Sequence, residues 1–433
     1  MSTAGRGMTM AEATSRGGAA AAAPAIDRLG ALLLAAALFL NEAVFRIIDV
    51  EQFRFDWQIA MRLSVCLACG LYGLLHWPQV RSEIGRFPGA WVTLLAAWAL
   101  VTVPAAINVP YAAASWAALV CMILFAPAVL RQLGGRRVLL TVLVTLTFFV
   151  ACCWVVYFAV PQFGRTGFTM PDLEVVYRFG GLASANATGR VCALWIALLL
   201  VAGMQRCVRW RVLLPLLGVG LVTLVLTNTR TAMIAGGAAV ALLVLRRVPR
   251  GGMKTLGLAA IGGVALAGLA LSLGLVQFDP DSLLASFSRA GNAEEAYTLT
   301  GRTPLWEYTA EQIAESPLVG CGYACTRFVL IHGEHTAVPH AHNQVLNVAL
   351  SCGLVGGLLM VMMFLAQLRH LLFRGELLPD AVTVFVLIGG IADCMAFTPI
   401  PDACTLIWLL AVFWRQTGST LDTAEATLTE AVR

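Results

Sequence analysis

The stretch HNQVLNVALSCGLVGGLLMVMMFLAQL, running from His342 to Leu368, contains no Asp, Glu, Lys or Arg. A helix needs about 20 apolar residues to cross a bilayer core, so this run reads as a membrane span. Similar runs recur along the chain, at residues 30–48, 57–76, 90–107, 110–130, 138–160, 187–205, 212–228, 229–246, 255–276, 379–397 and 402–417. With 59% of residues hydrophobic and only 12% charged, the composition lies far outside that of soluble domains. The expected fold is an all-α integral membrane protein of about twelve transmembrane helices. A large external loop precedes the tenth span. The chain then divides into an N-terminal tail (1–27), nine helices (28–276), the loop (277–341), three helices (342–417) and a C-terminal tail (418–433).

Basic residues set the orientation. A cytoplasmic N-terminus collects nineteen of the twenty-nine Lys and Arg on one side, among them Arg81, Arg131, Arg136, Arg137, Arg246, Arg247 and Lys254. Both termini are then cytoplasmic and the 277–341 loop is external, periplasmic in a bacterium. The net charge of +5 is thereby a topology signal, and no nucleic-acid binding follows from it. The Ala/Gly-rich first residues lead into a long apolar run without a convincing cleavage site, the pattern of a disordered tail and a retained first helix. The twelve cysteines are scattered. Cys66 and Cys69 form a CxxC inside a span, where packing is the better reading. Cys321 and Cys325 share the external loop, where a disulfide is chemically possible but the spacing is weak evidence for one.

Within the loop, Gly301-Arg302-Thr303-Pro304 reads as a helix start, with Thr303 as N-cap and Pro304 at the first helical position. Leu305, Thr309 and Ile313 recur on one face, Glu307, Glu311 and Glu315 on another, and Pro317 ends the run. The expectation is an amphipathic surface helix with a solvated acidic face.

Four of the six histidines, His332, His335, His340 and His342, lie at the exit of this loop. Three readings are open. A metal site has enough imidazoles, although the spacing matches no familiar zinc pattern. A neutral imidazole at the membrane face suits a general base that takes a proton from a hydroxyl. Incidental capping or interfacial rings are the third reading, and the better one for His332 and His335. His342 differs because it opens a span, followed on one face by Asn343, Leu346, Asn347 and Leu350. Gly353 and Gly356 are expected to permit close helix approach.

Outward-facing arginines form a second set. Arg230 sits in the turn Thr227-Asn228-Thr229-Arg230-Thr231, Arg190 opens the span after residues 161–186, Arg178 precedes Phe179-Gly180-Gly181, and Arg302 begins the surface helix. A permanent charge at such a boundary is costly unless something anionic or watery meets it. The guanidinium fork suits phosphate, so arginines converging on one external pocket would suit a diphosphate. The plainer reading makes each an interfacial anchor or a carboxylate partner.

With these motifs in this order, the chain resembles the bacterial O-antigen ligases of the Wzy-C, WaaL-like superfamily. His342-Asn343, nine residues, then Gly353-x-x-Gly356 is similar to the family signature. Arg178-Phe-Gly-Gly…Ala185-Asn186 resembles its Arg…Gly…Asn stretch, and Thr229-Arg230 resembles its Ser-Arg turn, with Thr in place of Ser. Gly301-Arg302…Leu305-Trp306…Pro317-Leu318-Val319-Gly320-x-Gly322 resembles its external-loop motif. The detailed likeness covers residues 178–357.

The resemblance implies a GT-C-like glycosyltransferase of the bacterial inner membrane, with its site facing the periplasm. The donor would be a glycan on undecaprenyl diphosphate and the acceptor a sugar hydroxyl of lipid A–core, both carried in membrane lipid. His342 would act as base, while Arg230 and Arg302 would bind the diphosphate and stabilise its developing charge. Arg190, Arg178, His340, Asn186 and Asn343 would complete the substrate site. No metal, cofactor or nucleotide is expected. Polymerases and protein O-oligosaccharyltransferases of the superfamily share this chemistry and differ in acceptor. A lipid-linked glycan transporter would keep the arginines without needing a base.

Overall fold

The computed structural model of the protein describes residues 24–45, 56–169, 175–247, 302–331, 338–373 and 375–414. The expected span 255–276, most of both tails, residues 277–301 of the loop, His332 and His335 lie outside the described residues.

Described chain is almost wholly helical, because a backbone in hydrocarbon must satisfy its own polar groups. Helices α1 (Pro24–Leu40), α2 (Trp57–Leu75), α3 (Trp77–Ile84), α4 (Gly89–Thr102), α5 (Val109–Leu133) and α6 (Gly135–Ala159) come first. A one-turn helix, α7 (Pro161–Gly164), leads into strands β1 (Arg165–Thr169) and β2 (Val175–Phe179). Then come α8 (Ala185–Met204), α9 (Trp210–Thr227) and α10 (Arg230–Arg247). The last set is α11 (Arg302–Glu315), α12 (Thr326–Leu330), α13 (Gln344–Phe373), α14 (Leu377–Gly390) and α15 (Ala403–Trp414).

Six of the described helices are long and apolar enough to cross a membrane, or seven if α3 and Gly89–Ala105, bent by 94°, form one span. The fold is therefore a multi-span α-helical membrane protein, with departures from the expected twelve. Helix α10 has the length of a span but carries Arg230, Arg246 and Arg247. Helices α1, α14 and α15 are apolar but short. The runs read as spans 379–397 and 402–417 leave residues 391–402 non-helical. Pro399 and Pro401 lack amide donors and disfavour helix in the residues before them.

The segment between α6 and α8 holds a hairpin that hydropathy did not reveal. Strands β1 and β2 pair antiparallel, with Thr166 opposite Arg178 and Gly167 opposite Tyr177. Strand alternation turns Tyr177 outward, 66% exposed, and Arg178 inward, 8% exposed. Arg178 is thus delivered to the N-terminal end of α8. That helix is the most enclosed of the candidate spans, with 78% of its apolar window buried, and α6, α9 and α10 pack around it.

Helix α13 is broken. Cys352 and Gly353 leave helical geometry, Gly353 at φ +70°. The chain after α11 enters the gap: Cys321 N donates to Leu350 O at 2.8 Å, and Leu354 N donates to Pro317 O at 2.7 Å. Backbone groups freed by the break are satisfied in this way. Gly353 lies against the Leu318 carbonyl and Gly320, at φ +65°, against the Leu350 carbonyl, so neither has room for a Cβ. The glycine motif therefore admits a loop backbone into a helix break, which corrects the expectation of close helix–helix approach.

Helix α11 behaves as its pattern required, although it begins at Arg302, ahead of the expected cap Thr303. Leu305, Thr309 and Ile313 are buried, while Glu307, Glu311 and Glu315 are exposed. Cys66 and Cys69 are buried in α2, and Cys321 and Cys325 are free thiols. A left-handed backbone costs a non-glycine residue about 1–2 kcal/mol even without a clash. Gly353→Ala and Gly320→Ala are accordingly expected to lower the melting temperature of the purified protein in detergent. Gly218→Ala, inside helix α9 with open space at its Cα, is expected to hold or raise that temperature, since alanine favours the helix over glycine.

Candidate functional site

Five segments meet at one end of the bundle: the 338–343 loop, the start of α8, the 227–231 turn, the start of α11 and the 391–402 segment. The first four were expected. The fifth holds the group that organises them.

His342 lies in a loop at φ +48°, before α13 begins at Gln344, so it does not open the helix as its position in the sequence implied. Asn343 does that. Its Oδ1 accepts from Leu346 N at 3.0 Å, while its Nδ2 donates to Ile391 O at 3.0 Å. Asn343 thus caps α13 and ties it to the 391–402 segment. The loop is clamped from two sides at Ala341, whose N donates to Asn347 Oδ1 at 3.2 Å and whose carbonyl accepts from Trp306 Nε1 at 2.9 Å. Trp306 is a member of the external-loop motif to which sequence reading gave no role.

At the centre lies Asp393, with a side chain only 4% exposed. Its Oδ1 is 3.3 Å from His342 Nδ1 and 3.4 Å from His340 Nε2. Its Oδ2 is 3.4 Å from Arg190 Nη1, which also donates to Cys394 O at 2.9 Å. Arg190 Nη2 reaches Asp402 Oδ2 at 3.7 Å. Burial opposes the charge on Asp393, but Arg190 and hydrogen bonds from the two histidines hold its carboxyl well below the usual carboxylate range. His342 moves the other way. Burial, with help from His340 and Arg302, pushes its pKa below the ordinary imidazole value against the pull of Asp393. At neutral pH it is a neutral base. With Nδ1 donating to Asp393, the lone pair is on Nε2.

A second buried carboxylate supports this layer. Glu42, in the turn after α1, accepts from Ala403 N at 3.1 Å. Burial first, and Asp402 next, push its pKa up to about 7. Gln344 Oε1 accepts from Met395 N and Ala396 N, both at 2.8 Å. The 391–402 segment is therefore held at both ends.

The arginines divide into two groups. Arg178 donates to Thr227 O at 2.8 Å, Asn186 Oδ1 at 2.8 Å, Thr229 Oγ1 at 3.0 Å and Asn228 O at 3.2 Å. It fixes the turn from which Arg230 projects, and Asn186 is one of its acceptors. Arg178 and Arg190 are engaged within the protein, which does not match the expectation that their forks face a ligand. Arg302 donates to Thr231 Oγ1 at 3.4 Å. Burial lowers its pKa and nearby Asp393 raises it. Among the described residues, Arg230 has no hydrogen-bond or ion-pair partner.

Sequence reading missed Asp393 by absorbing it into a span. The available signal was an ionisable residue inside an apolar run, which by default points to function.

These features define a helical membrane protein in which buried Asp393 gathers two partly buried histidines and Arg190 at one end of the bundle, with Arg230, unpartnered among the described residues, on the adjoining turn. Residues 215–361 match the family described as O-antigen ligase. That family is associated with ligase- or polymerase-type activity, and the likeness is to this segment of the chain. The matched segment takes in Arg230, Arg302, Trp306 and His342, while Arg178, Arg190 and Asp393 lie outside it. No curated protein matches the chain.

Removing one partner of a buried ion pair strands the other charge, at about 3–5 kcal/mol. Arg190→Gln is expected to lower the melting temperature sharply. Combining it with Asp393→Asn is expected to cost less than the sum of the two single changes, as thermal melts in detergent would read out.

Proposed function

We propose that the protein is an O-antigen ligase, moving a glycan from undecaprenyl diphosphate to a sugar hydroxyl of lipid A–core. The observation that carries this reading is the pairing of His342 with buried Asp393, close to Arg302. Both substrates carry lipid tails, so the site belongs at the outer face of a bacterial inner membrane, with both chain termini in the cytoplasm. The excess of basic residues on the opposite loops supports that orientation.

Nε2 of His342 takes the proton of the acceptor hydroxyl as its oxygen attacks the anomeric carbon. The bond from that carbon to the diphosphate oxygen breaks, and the in-line geometry inverts the centre. Asp393 keeps the proton on Nδ1 and stabilises the imidazolium that forms. Arg230 and Arg302 hold the diphosphate and meet the charge that develops on it. Their fixed charges supply what a divalent cation would otherwise supply, so the reaction is metal-independent. Arg190, Arg178, Asn186 and Asn343 act by positioning, and His340 is the second ring on Asp393. A polymerase would use the same donor and the same groups, with another glycan-lipid as acceptor.

The deciding experiment gives purified protein a defined lipid-linked glycan together with lipid A–core or a second glycan-lipid. Growth of lipid A–core is expected. Growth of the glycan-lipid alone would make the protein a polymerase, and translocation without a covalent product would make it a transporter. His342→Ala is expected to lower the transfer rate by roughly 10²–10⁴-fold in a protein that still purifies folded. Arg230→Lys keeps the charge and loses the fork, so transfer should fall; wild-type rates would argue against specific diphosphate binding.

A further inference from the structure

Asp393 Oδ1 faces two ring nitrogens at once, His342 Nδ1 at 3.3 Å and His340 Nε2 at 3.4 Å. Charge-assisted hydrogen bonds between nitrogen and carboxylate run nearer 2.7–2.9 Å. A tetrahedral zinc ion with bonds of about 2.0–2.1 Å sets its ligand atoms about 3.4 Å apart. All three atoms lie within 4.8 Å of one another, and the two rings sit 4.2 Å apart between centroids. The outer shell is present as well. Arg190 holds Oδ2, which turns Oδ1 toward the histidines, a common arrangement behind a metal-binding carboxylate. Entry is open on one side, because the His340 side chain is 30% exposed while that of Asp393 is 4% exposed.

We infer that His340, His342 and Asp393 form a binding site for a borderline-soft divalent cation of the zinc type, and that its occupancy switches off the base. Two imidazoles and one carboxylate form a donor set suited to zinc; magnesium prefers oxygen donors and keeps its waters. A fourth position remains for water. The inhibitory step is a tautomer change. A cation on His342 Nδ1 requires that nitrogen's lone pair, so the ring proton moves from Nδ1 to Nε2. Nε2 then carries a proton and cannot accept one from the acceptor hydroxyl. The inhibitory half of the inference rests on the proposed role of His342; the binding half does not.

The test uses full-length protein in detergent, stripped with EDTA and then equilibrated with zinc chloride. Bound metal is measured after desalting, in parallel with glycan transfer. One zinc per chain is expected in the wild type, with binding lost in His340→Ala. That ring is partly exposed, and Asp393 keeps Arg190 and His342 without it, so the variant is expected to purify folded, as a thermal melt beside the wild type checks. The variant also separates this site from zinc held by the twelve cysteines, which remain unchanged in it. Zinc is expected to suppress wild-type transfer and EDTA to restore it. Equal zinc binding in wild type and His340→Ala, or no binding in either, would overturn the site. Zinc bound through His340 that accelerates transfer would overturn the inhibition. If no transfer occurs even in metal-free protein, the proposed function fails, while the binding measurement still decides the site.

Discussion

A carboxylate that stays charged inside an apolar bundle is the constraint on which this end of the protein depends. An unpaired Asp393 would be protonated or would pull water inward. Arg190 from the most enclosed helix prevents this on one oxygen, and two histidines from the loop before α13 engage the other. Asp402 shares the same guanidinium, and Glu42 anchors the start of α15 beside it. The network thereby joins the first helix, the central helix and the last helix. Each charge is stabilised by its neighbours, which is why removing one is expected to disturb more than its own contact.

The same arrangement explains why the site is built on irregular backbone. Residues 391–402 and 338–343 are non-helical, and each is tied to its surroundings by hydrogen bonds: Gln344 accepts from the first and Glu42 from Ala403 at its end, while Trp306 and Asn347 hold the second. The break in α13 works alike. Gly353 gives up helical geometry so that the chain after α11 can supply the missing backbone partners. Helix α11 then reaches the histidine loop through Trp306 and the 227–231 turn through Arg302. Helix α11 is in this way part of the site's frame, and the hairpin has the matching task of delivering Arg178 to the turn that carries Arg230.

Hydropathy made the helical membrane class legible, and the periodic pattern of Leu305, Thr309 and Ile313 made the surface helix legible. The motif residues His342, Arg302 and Arg230 were also legible, since their types and boundary positions carried chemical meaning. What the sequence concealed was partnership. Arg178 and Arg190 look identical to Arg230 in a linear reading, because nothing local shows that their forks are filled by carbonyls and carboxylates from segments far away in the chain, more than two hundred positions for Arg190. Asp393 was hidden for a different reason: apolar neighbours on both sides merged it into a span, although the two prolines after it marked the helix as broken. The glycines of the 353–356 motif were visible, but a left-handed residue inside a helix has no periodic signature. Spacing alone assigned them to helix contact.

The central claim is that Asp393 sets the proton on His342 Nδ1 and leaves Nε2 free. Nitrogen NMR of histidine-labelled, metal-free protein at neutral pH tests it most directly, with the His342 signals assigned by comparison with His342→Ala. The account predicts a protonated Nδ1 and an unprotonated Nε2. An imidazolium, or a ring protonated on Nε2, would contradict it.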